Sequence, residues 1–388
     1  FLESGNQVLQ VLWKKSGSNA ALLNTTRKFR DTSAWYHVVL AVDTTQGTAA
    51  NRIKLYVNGV QETSFSTATY PNQNESIEVN DNNTNQRIGA LNTDTFFQGV
   101  ASYVAQIDGT QELPTVFGET DATTGEWKIK TSITPSVAWG NNGFLVLKDG
   151  NSLTDASPNS NNFTVAGGTL TKTEDCPSNV FATMNPLALY HSSGGTLSNG
   201  NNSYVWSNYQ INTRSTLGMP KGKFYWEQKC LGDEGSNRIG MCTSAFTNYI
   251  DTDSTDAHYN STGNGGIYLM MSAASTSWQR TNNDTSKNVD TYTNATALAT
   301  NNIIMNAVDV DAGKYWIGIN GTWFYSGDPA AGSNPQITFT NSGGDDLHVF
   351  LGSGTNNSRS FSFNFGNGYF GTTAVSSAGT NASGNGIF

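Results

Sequence analysis

Apolar and polar residues alternate with period two along most of this chain, and no segment keeps apolar positions at helical spacing over three turns. That periodicity predicts strands, because successive side chains on a strand point to opposite faces. The clearest instance occurs twice: residues 38–60 read VVLAVDTTQGTAANRIKLYVNGV, and residues 303–323 read IIMNAVDVDAGKYWIGINGTW. Each copy is an apolar strand ending in Val-Asp, a polar turn, a second alternating strand and an Asn-Gly pair. Asn58-Gly59 and Asn320-Gly321 suit the two positive-φ positions of a type I′ hairpin turn. The duplication predicts two β-domains of related design, which a single catalytic core would not need.

The same reading extends outward. In the first part, residues 8–13 and 35–42 are predicted strands. In the next strand Ile53, Leu55 and Val57 share one face, with Lys54, Tyr56 and Asn58 opposite. Residues 71–86, rich in Asn, form a polar loop, and 87–90 with 96–104 complete a first domain spanning 1–112. Residues 113–177 read as a connector, with an ordered turn over 113–121 and a strand over 143–148. The second domain, 178–370, has predicted strands at 204–210, 223–231, 237–243, 266–271, 303–309, 314–319, 347–352 and 360–365. Trp35, Trp226 and Trp316 fall on strands and are expected in cores. The tail 371–388 is rich in Gly, Ser, Ala and Asn, the composition of a linker. The chain opens on Phe1 inside a β-like pattern, as a piece of a longer polypeptide would.

Composition narrows the function classes. Charged residues are only 13% of the 388 and Gly numbers 40, yet 36% hydrophobic and 11% aromatic content suffices for packed cores. The net charge is −9 and the 21 Lys and Arg residues are scattered, so no basic stripe exists to neutralise phosphates, and nucleic acid is excluded as partner. No apolar run approaches the roughly 20 residues that span a bilayer. Three cysteines do not make a disulfide framework. Cys230 and Cys242 are expected on consecutive strands of a hairpin folding about residue 234, where register keeps them apart, and Cys176 lies unpaired in the connector.

Phe29-Arg30-Asp31-Thr32-Ser33-Ala34-Trp35-Tyr36-His37-Val38-Val39, followed by Ala41-Val42-Asp43 and Leu55-Tyr56-Val57-Asn58-Gly59, resembles the laminin-G/concanavalin A-like jelly roll. Gly222-Lys223-Phe224-Tyr225-Trp226-Glu227 with Arg238-Ile239-Gly240 resembles the opening of a SPRY domain, and Lys314-Tyr315-Trp316 with Asn320-Gly321-Thr322-Trp323 continues the match. The resemblance implies an all-β chain of two concanavalin A-like jelly-roll β-sandwiches in tandem, the first lacking its N-terminal strands. The pair of modules, with Phe117-Gly118-Glu119-Thr120-Asp121 and Gly125-Glu126-Trp127-Lys128 between them, resembles structural proteins of marine tailed bacteriophages of the cyanophage type. That implies a virion protein, on the particle surface, tail or capsid, partnered by other virion proteins and by copies of itself, with a trimer typical of fibres.

Glycosidases also use this architecture, and retaining ones need two carboxylates about 5 Å apart on one strand face. No Glu-x-Asp-x-x-Glu run occurs; Glu119, Asp121 and Glu126 lie in a Thr/Gly-rich stretch and read as turn and capping carboxylates. The four histidines show no metal-ligand spacing, and His37 reads as a packed sheet residue. No cofactor is therefore expected, apart from a weak Ca²⁺ candidate at Asp251, Asp253 and Asp256. Rings in polar stretches suit sugar stacking: Tyr249, Tyr259 and Trp278, with Trp323 and Tyr325 just after the second Asn-Gly turn. The expected function is a non-enzymatic virion component (tail fibre, spike or capsid decoration) touching host-surface glycan. A cell-surface carbohydrate-binding adhesin is the alternative, and a polysaccharide-degrading glycosidase the third reading.

Overall fold

The computed structural model describes residues 7–15, 17–31, 34–76, 79, 85–90, 96–97, 99–148, 152–167, 170, 180–189, 195–207, 212–232, 237–244, 266–272, 275–281, 298–340, 346–353, 358–376, 378–380 and 386–388, with side chains described outside 268–281. Among these residues the only helical elements are three-residue 3-10 turns, so the fold is all-β. None is long and apolar enough to cross a membrane. The chain divides into two compact units at about residues 172–179.

The first unit pairs β1 (Gln10–Lys15), β2 (Ser18–Thr25) and β6 (Phe65–Thr69) in one sheet, and β3 (Val38–Val42), β4 (Ile53–Val57) and β5 (Val60–Glu62) in another. The two sheets pack face to face through the side predicted by alternation. Leu55 and Val57 meet Leu9 and Phe29, and Ile53 meets Ala21 and Leu23. Each fully buried aliphatic side chain here stabilises by about 2 kcal/mol.

The opposite face of β4 is covered too: Tyr56 joins Val39, Ala41 and Phe117. Phe117 leads into a hairpin of β8 (Gly118–Thr120) and β9 (Trp127–Ile129). Trp127 lies so close over Gly59 and Gly118 that a Cβ at either would collide with the indole. Asp121 closes this hairpin, accepting from the Thr123 and Thr124 N–H groups at 2.8 and 2.9 Å and from Lys128 Nζ at 2.7 Å.

In the second unit, β11 (Gly195–Ser198), β12 (Ser203–Trp206), β14 (Lys223–Gly232), β18 (Ile303–Asp309), β19 (Lys314–Ile319), β20 (Thr322–Trp323), β21 (Ile337–Thr338) and β23 (Arg359–Asn364) build the larger sheet, in the order β11-β12-β23-β14-β18-β19-β20 with β21 also on β19. The smaller sheet runs β13 (Asn212–Arg214), β22 (Leu347–Ser353), β15 (Asn237–Thr243), β16 (Gly266–Ser272), β17 (Ser275–Thr281). One core joins them: Trp226, Ile304, Ile317, Phe361 and Phe363 from the larger sheet meet Ile239, Met241, Ile267, Val349 and Leu351 from the smaller. Trp226 and Tyr315 stack at 6.1 Å within it. Arg359, 2% exposed, crosses this core and donates from Nη1 to Asn237 Oδ1 and Ser353 Oγ, both at 3.0 Å.

The duplicated motif keeps the same bonds in both units. Asn58 and Asn320 both have φ 49°, followed by Gly59 at 79° and Gly321 at 84°. Asn58 Oδ1 accepts the His37 N–H at 2.8 Å while its own N–H returns to the His37 carbonyl. Asn320 makes the same reciprocal pair with Ile303, its Oδ1 accepting at 2.8 Å. The Val-Asp ends are alike as well: Asp43 accepts from the Thr45 N–H at 3.0 Å and Asp309 from the Ala312 N–H at 2.9 Å.

Several expectations need correction. Cys230 and Cys242 form no disulfide and are buried, but β14 and β15 are not a hairpin. Both edges of β14 are taken, by β18 and β23, so the chain crosses to the other sheet. Cys176 lies outside the described residues. Trp35 precedes β3 and is half-buried, not a strand-core residue. Trp226 fills the inter-sheet core, whereas Trp316, 1% exposed, is buried on the other face of its sheet and donates to the Ser333 carbonyl at 2.7 Å. The strands expected at 87–90 and 96–104 reduce, among the described residues, to a bridge between Ala90 and Phe96 and to β7 (Val104–Gln106), which pairs with β10 (Phe144–Val146).

Candidate functional site

Alternation along β14 sends Trp226, Gln228 and Cys230 into the core and leaves Tyr225 and Glu227 on the outer face of the larger sheet. Register places Glu227 opposite Met305 on β18 and Asn364 on β23. A carboxylate two residues from a tyrosine on one strand shares its face. Accordingly the Tyr225 O–H donates to Glu227 Oε1 at 2.7 Å, and Asn364 Nδ2 approaches Oε2 at 3.4 Å. Glu227 is 9% exposed and Asn364 fully buried.

Burial raises the Glu227 pKa, and the hydrogen bonds from Tyr225 and Asn364 pull it back only in part. Burial, and then the charge of Glu227, push the Tyr225 phenol far above its ordinary value. A buried acid held against its preferred charge state at an aromatic face marks a candidate site on physical grounds.

Rings gather above this acid. Tyr225 packs nearly perpendicular to Trp323, with centroids 6.3 Å apart and planes at 74°, and to Phe388, 5.0 Å away at 78°. Trp323 gets there because the Asn320-Gly321 turn brings β20 back along β19, Trp323 facing Gly318. A side chain at Gly318 would strike the Thr322 carbonyl and Met305 Cε.

Tyr325 follows in a turn with left-handed backbone, φ 52°, and is 46% exposed. Gln336, 2% exposed, staples this turn to β19: its Nε2 donates to the Phe324 carbonyl and its Oε1 accepts the Ile317 N–H, both at 2.8 Å. Positive φ at a tyrosine is held only by such surroundings, and strain of this kind concentrates at functional sites.

Of the ring candidates read from sequence, Trp323 joins this cluster and Tyr325 lies two residues beyond it. Trp278 sits on β17, a strand and not a polar loop, with its side chain outside the description. Tyr249 and Tyr259 lie outside the described residues, as do Asp251, Asp253 and Asp256. Among the described residues no three His, Cys, Asp or Glu side chains converge as metal ligands. Sequence reasoning missed Tyr225, Glu227, Asn364 and Phe388. The Tyr-x-Glu spacing on β14 was the available signal for the first two.

The other buried acids are engaged structurally. Asp155 is pulled upward by burial, yet its bonds from the Leu145, Ser157 and Asn161 N–H groups and the Ser157 hydroxyl hold its pKa below the ordinary value. Burial pushes the Cys242 thiol up to about 12, which removes it as a nucleophile at neutral pH.

A family model described as the concanavalin A-like lectin/glucanases superfamily matches residues 1–111. Among solved structures, the chain is similar to the SPRY domain of human HERC1, at 12% identity and TM-score 0.33, covering 46% of this chain and 96% of that one. It is likewise similar to the TRIM65 PSpry domain, at 11% identity and TM-score 0.33, covering 47% and 91%. Stonustoxin matches at 16% identity and TM-score 0.31, covering 47% of this chain and 27% of that one. No curated protein matches the chain.

Proposed function

We propose that the chain is a non-enzymatic structural protein of a tailed-phage particle, a fibre, spike or capsid-decorating component that presents two sandwiches for host-surface contact. The observation that carries this reading is the succession of two compact β units of duplicated strand–turn–strand design, the first matching a lectin-type family model. The resemblance of the module pair to marine phage structural proteins supplies the particle. Glu227 favours binding over hydrolysis: its partners are a phenol and an amide, where a retaining glucanase needs a second carboxylate about 5 Å away.

Host-surface glycan is the ligand class, stacked on Trp323 and Tyr325, with Tyr249, Tyr259 and Trp278 as further contacts and Ca²⁺ at Asp251, Asp253 and Asp256 as an accessory. Other virion proteins and copies of the chain are its structural partners. The test is where the protein resides. Antibodies to it are expected to label purified particles on capsid or tail; recovery only as a free protein from infected cells overturns the reading. The lectin-type match also favours a cell-surface adhesin. In that case glycan-array binding persists without any particle association, and Trp323→Ala reduces it.

A further inference from the structure

The face that carries Tyr225 is occupied by a stretch of the chain's own backbone. Ile387 forms a parallel bridge with Asn367. Its N–H donates to the Gly366 carbonyl and its carbonyl accepts from Asn364 Nδ2, both at 2.8 Å. Phe388 then sets its ring edge-on against Tyr225. The contact therefore reads two main-chain groups of an extended residue and one aromatic ring after it, which is how an added strand is recognised.

The receiving side is preorganised. Asn364 Oδ1 accepts the Gly366 and Gly368 N–H groups at 2.9 and 3.1 Å, which fixes its amide and aims Nδ2 at the incoming carbonyl. Gly366 has φ 117°; a Cβ there would collide first with the Phe181 ring and would also lie 3.2 Å from the Gly386 Cα, so glycine is what lets the two backbones come this near.

We propose that this face is a peptide-recognition site for an extended apolar residue followed by an aromatic one. Its partner in trans is a second copy of this chain, whose Gly386-Ile387-Phe388 enters it. A second copy is favoured because every copy carries the segment already seen to fit. Residues 371–385, which join it to the sheet, are all Gly, Ser, Ala, Thr or Asn except Val375, a linker composition. Exchange must first open the bonds that hold this stretch at home, from the Val375 N–H to the Gly368 carbonyl at 2.9 Å and between Gly379 and Phe388, whose N–H groups donate to each other's carbonyls at 2.8 and 2.9 Å. Opened and fully extended, it reaches on the order of 50 Å.

Exchange of an identical element remakes the same bonds between copies. It wins where neighbours exceed the effective concentration of the tether, roughly millimolar for a short flexible linker, as in an ordered array. This inference goes beyond the virion reading and stands or falls separately from it.

The probe is a fluorescein-labelled peptide of residues 381–388, titrated into the full chain carrying Phe388→Ala, which removes the resident ring. Saturable anisotropy is expected, at least about tenfold weaker on the unaltered chain, where the tethered segment competes. Binding is expected to vanish for a peptide carrying Phe388→Ala. A Phe388→Ala chain that keeps its circular dichroism and melting yet shows no saturable binding overturns the site. For the partner, sedimentation equilibrium of the unaltered chain, taken up to the roughly millimolar concentration at which neighbours match the tether, is expected to show association that Phe388→Ala abolishes. A monomer at every concentration overturns the second copy.

Discussion

Glu227 costs the second unit stability wherever it is charged. Its folded pKa lies above its unfolded value because the carboxyl is buried, so the folded state holds its proton more tightly. The stabilising contribution is complete below the unfolded value, about 4.3. It is lost as pH rises through the raised folded value. Gln keeps an acceptor for the Tyr225 hydroxyl and carries no charge. Glu227→Gln is therefore expected to melt above the unaltered chain at pH 8, with the gap closing toward pH 4. Parallel melting curves across that range would reject the assignment. Tyr225→Phe removes the donor and leaves the acid with Asn364 alone, which raises the Glu227 pKa further; carboxyl NMR titration reads this directly. The acid could not be assigned to a site from sequence, because Glu227 and Asn364 are 137 positions apart and meet only through the β14–β23 register.

At the scale of elements, one hairpin reports pH in the opposite sense. Trp127 Nε1 donates to His37 Nδ1 at 2.9 Å, and the two rings stack at 5.9 Å. An imidazolium has no lone pair to accept this bond. Burial lowers the His37 pKa below its ordinary value, and no charged group contributes to that shift; Phe117 and Trp127 are the rings against it. A depressed histidine pKa gives stability that is present above the unfolded value of about 6.5 and lost as pH falls through the folded one. The β8–β9 hairpin is expected to loosen over β4–β5 below that value, seen as faster amide exchange at Lys128 and Ile129 and a red shift of Trp127 emission. His37→Phe should abolish the pH dependence; an unchanged acid transition would remove His37 as its cause.

The strand that begins at Val38 and the Tyr-Val-Asn-Gly turn were legible because alternation and turn chemistry are local. That Trp127, in the stretch expected as a connector, lies over Gly59 was not, since a strand pattern specifies a face without its cover. The same limit explains the failed β14–β15 hairpin. A four-residue gap between two alternating runs looks like a turn until β18 and β23 are known to fill both edges of β14.

At the scale of the whole molecule, the described residues of the two units differ in how much core they form. Those of the second unit bury 24 hydrophobic residues in one continuous cluster. The first spreads its burial over small clusters, such as Leu9, Phe29, Leu55 and Val57. Buried apolar area is the main favourable term in folding, so the first unit is expected to melt at lower temperature. The duplicated turns provide matched reporters for each unit. Asn58→Ala and Asn320→Ala each lose one side-chain acceptor and force alanine into positive φ, together about 2 kcal/mol. Asn58→Ala is expected to lower the first calorimetric transition and Asn320→Ala the second. The second transition should carry the fluorescence change of the buried Trp206, Trp226 and Trp316. If either substitution moved both transitions equally, the units would fold as one cooperative body, and the repeated motif would mark one fold and not two.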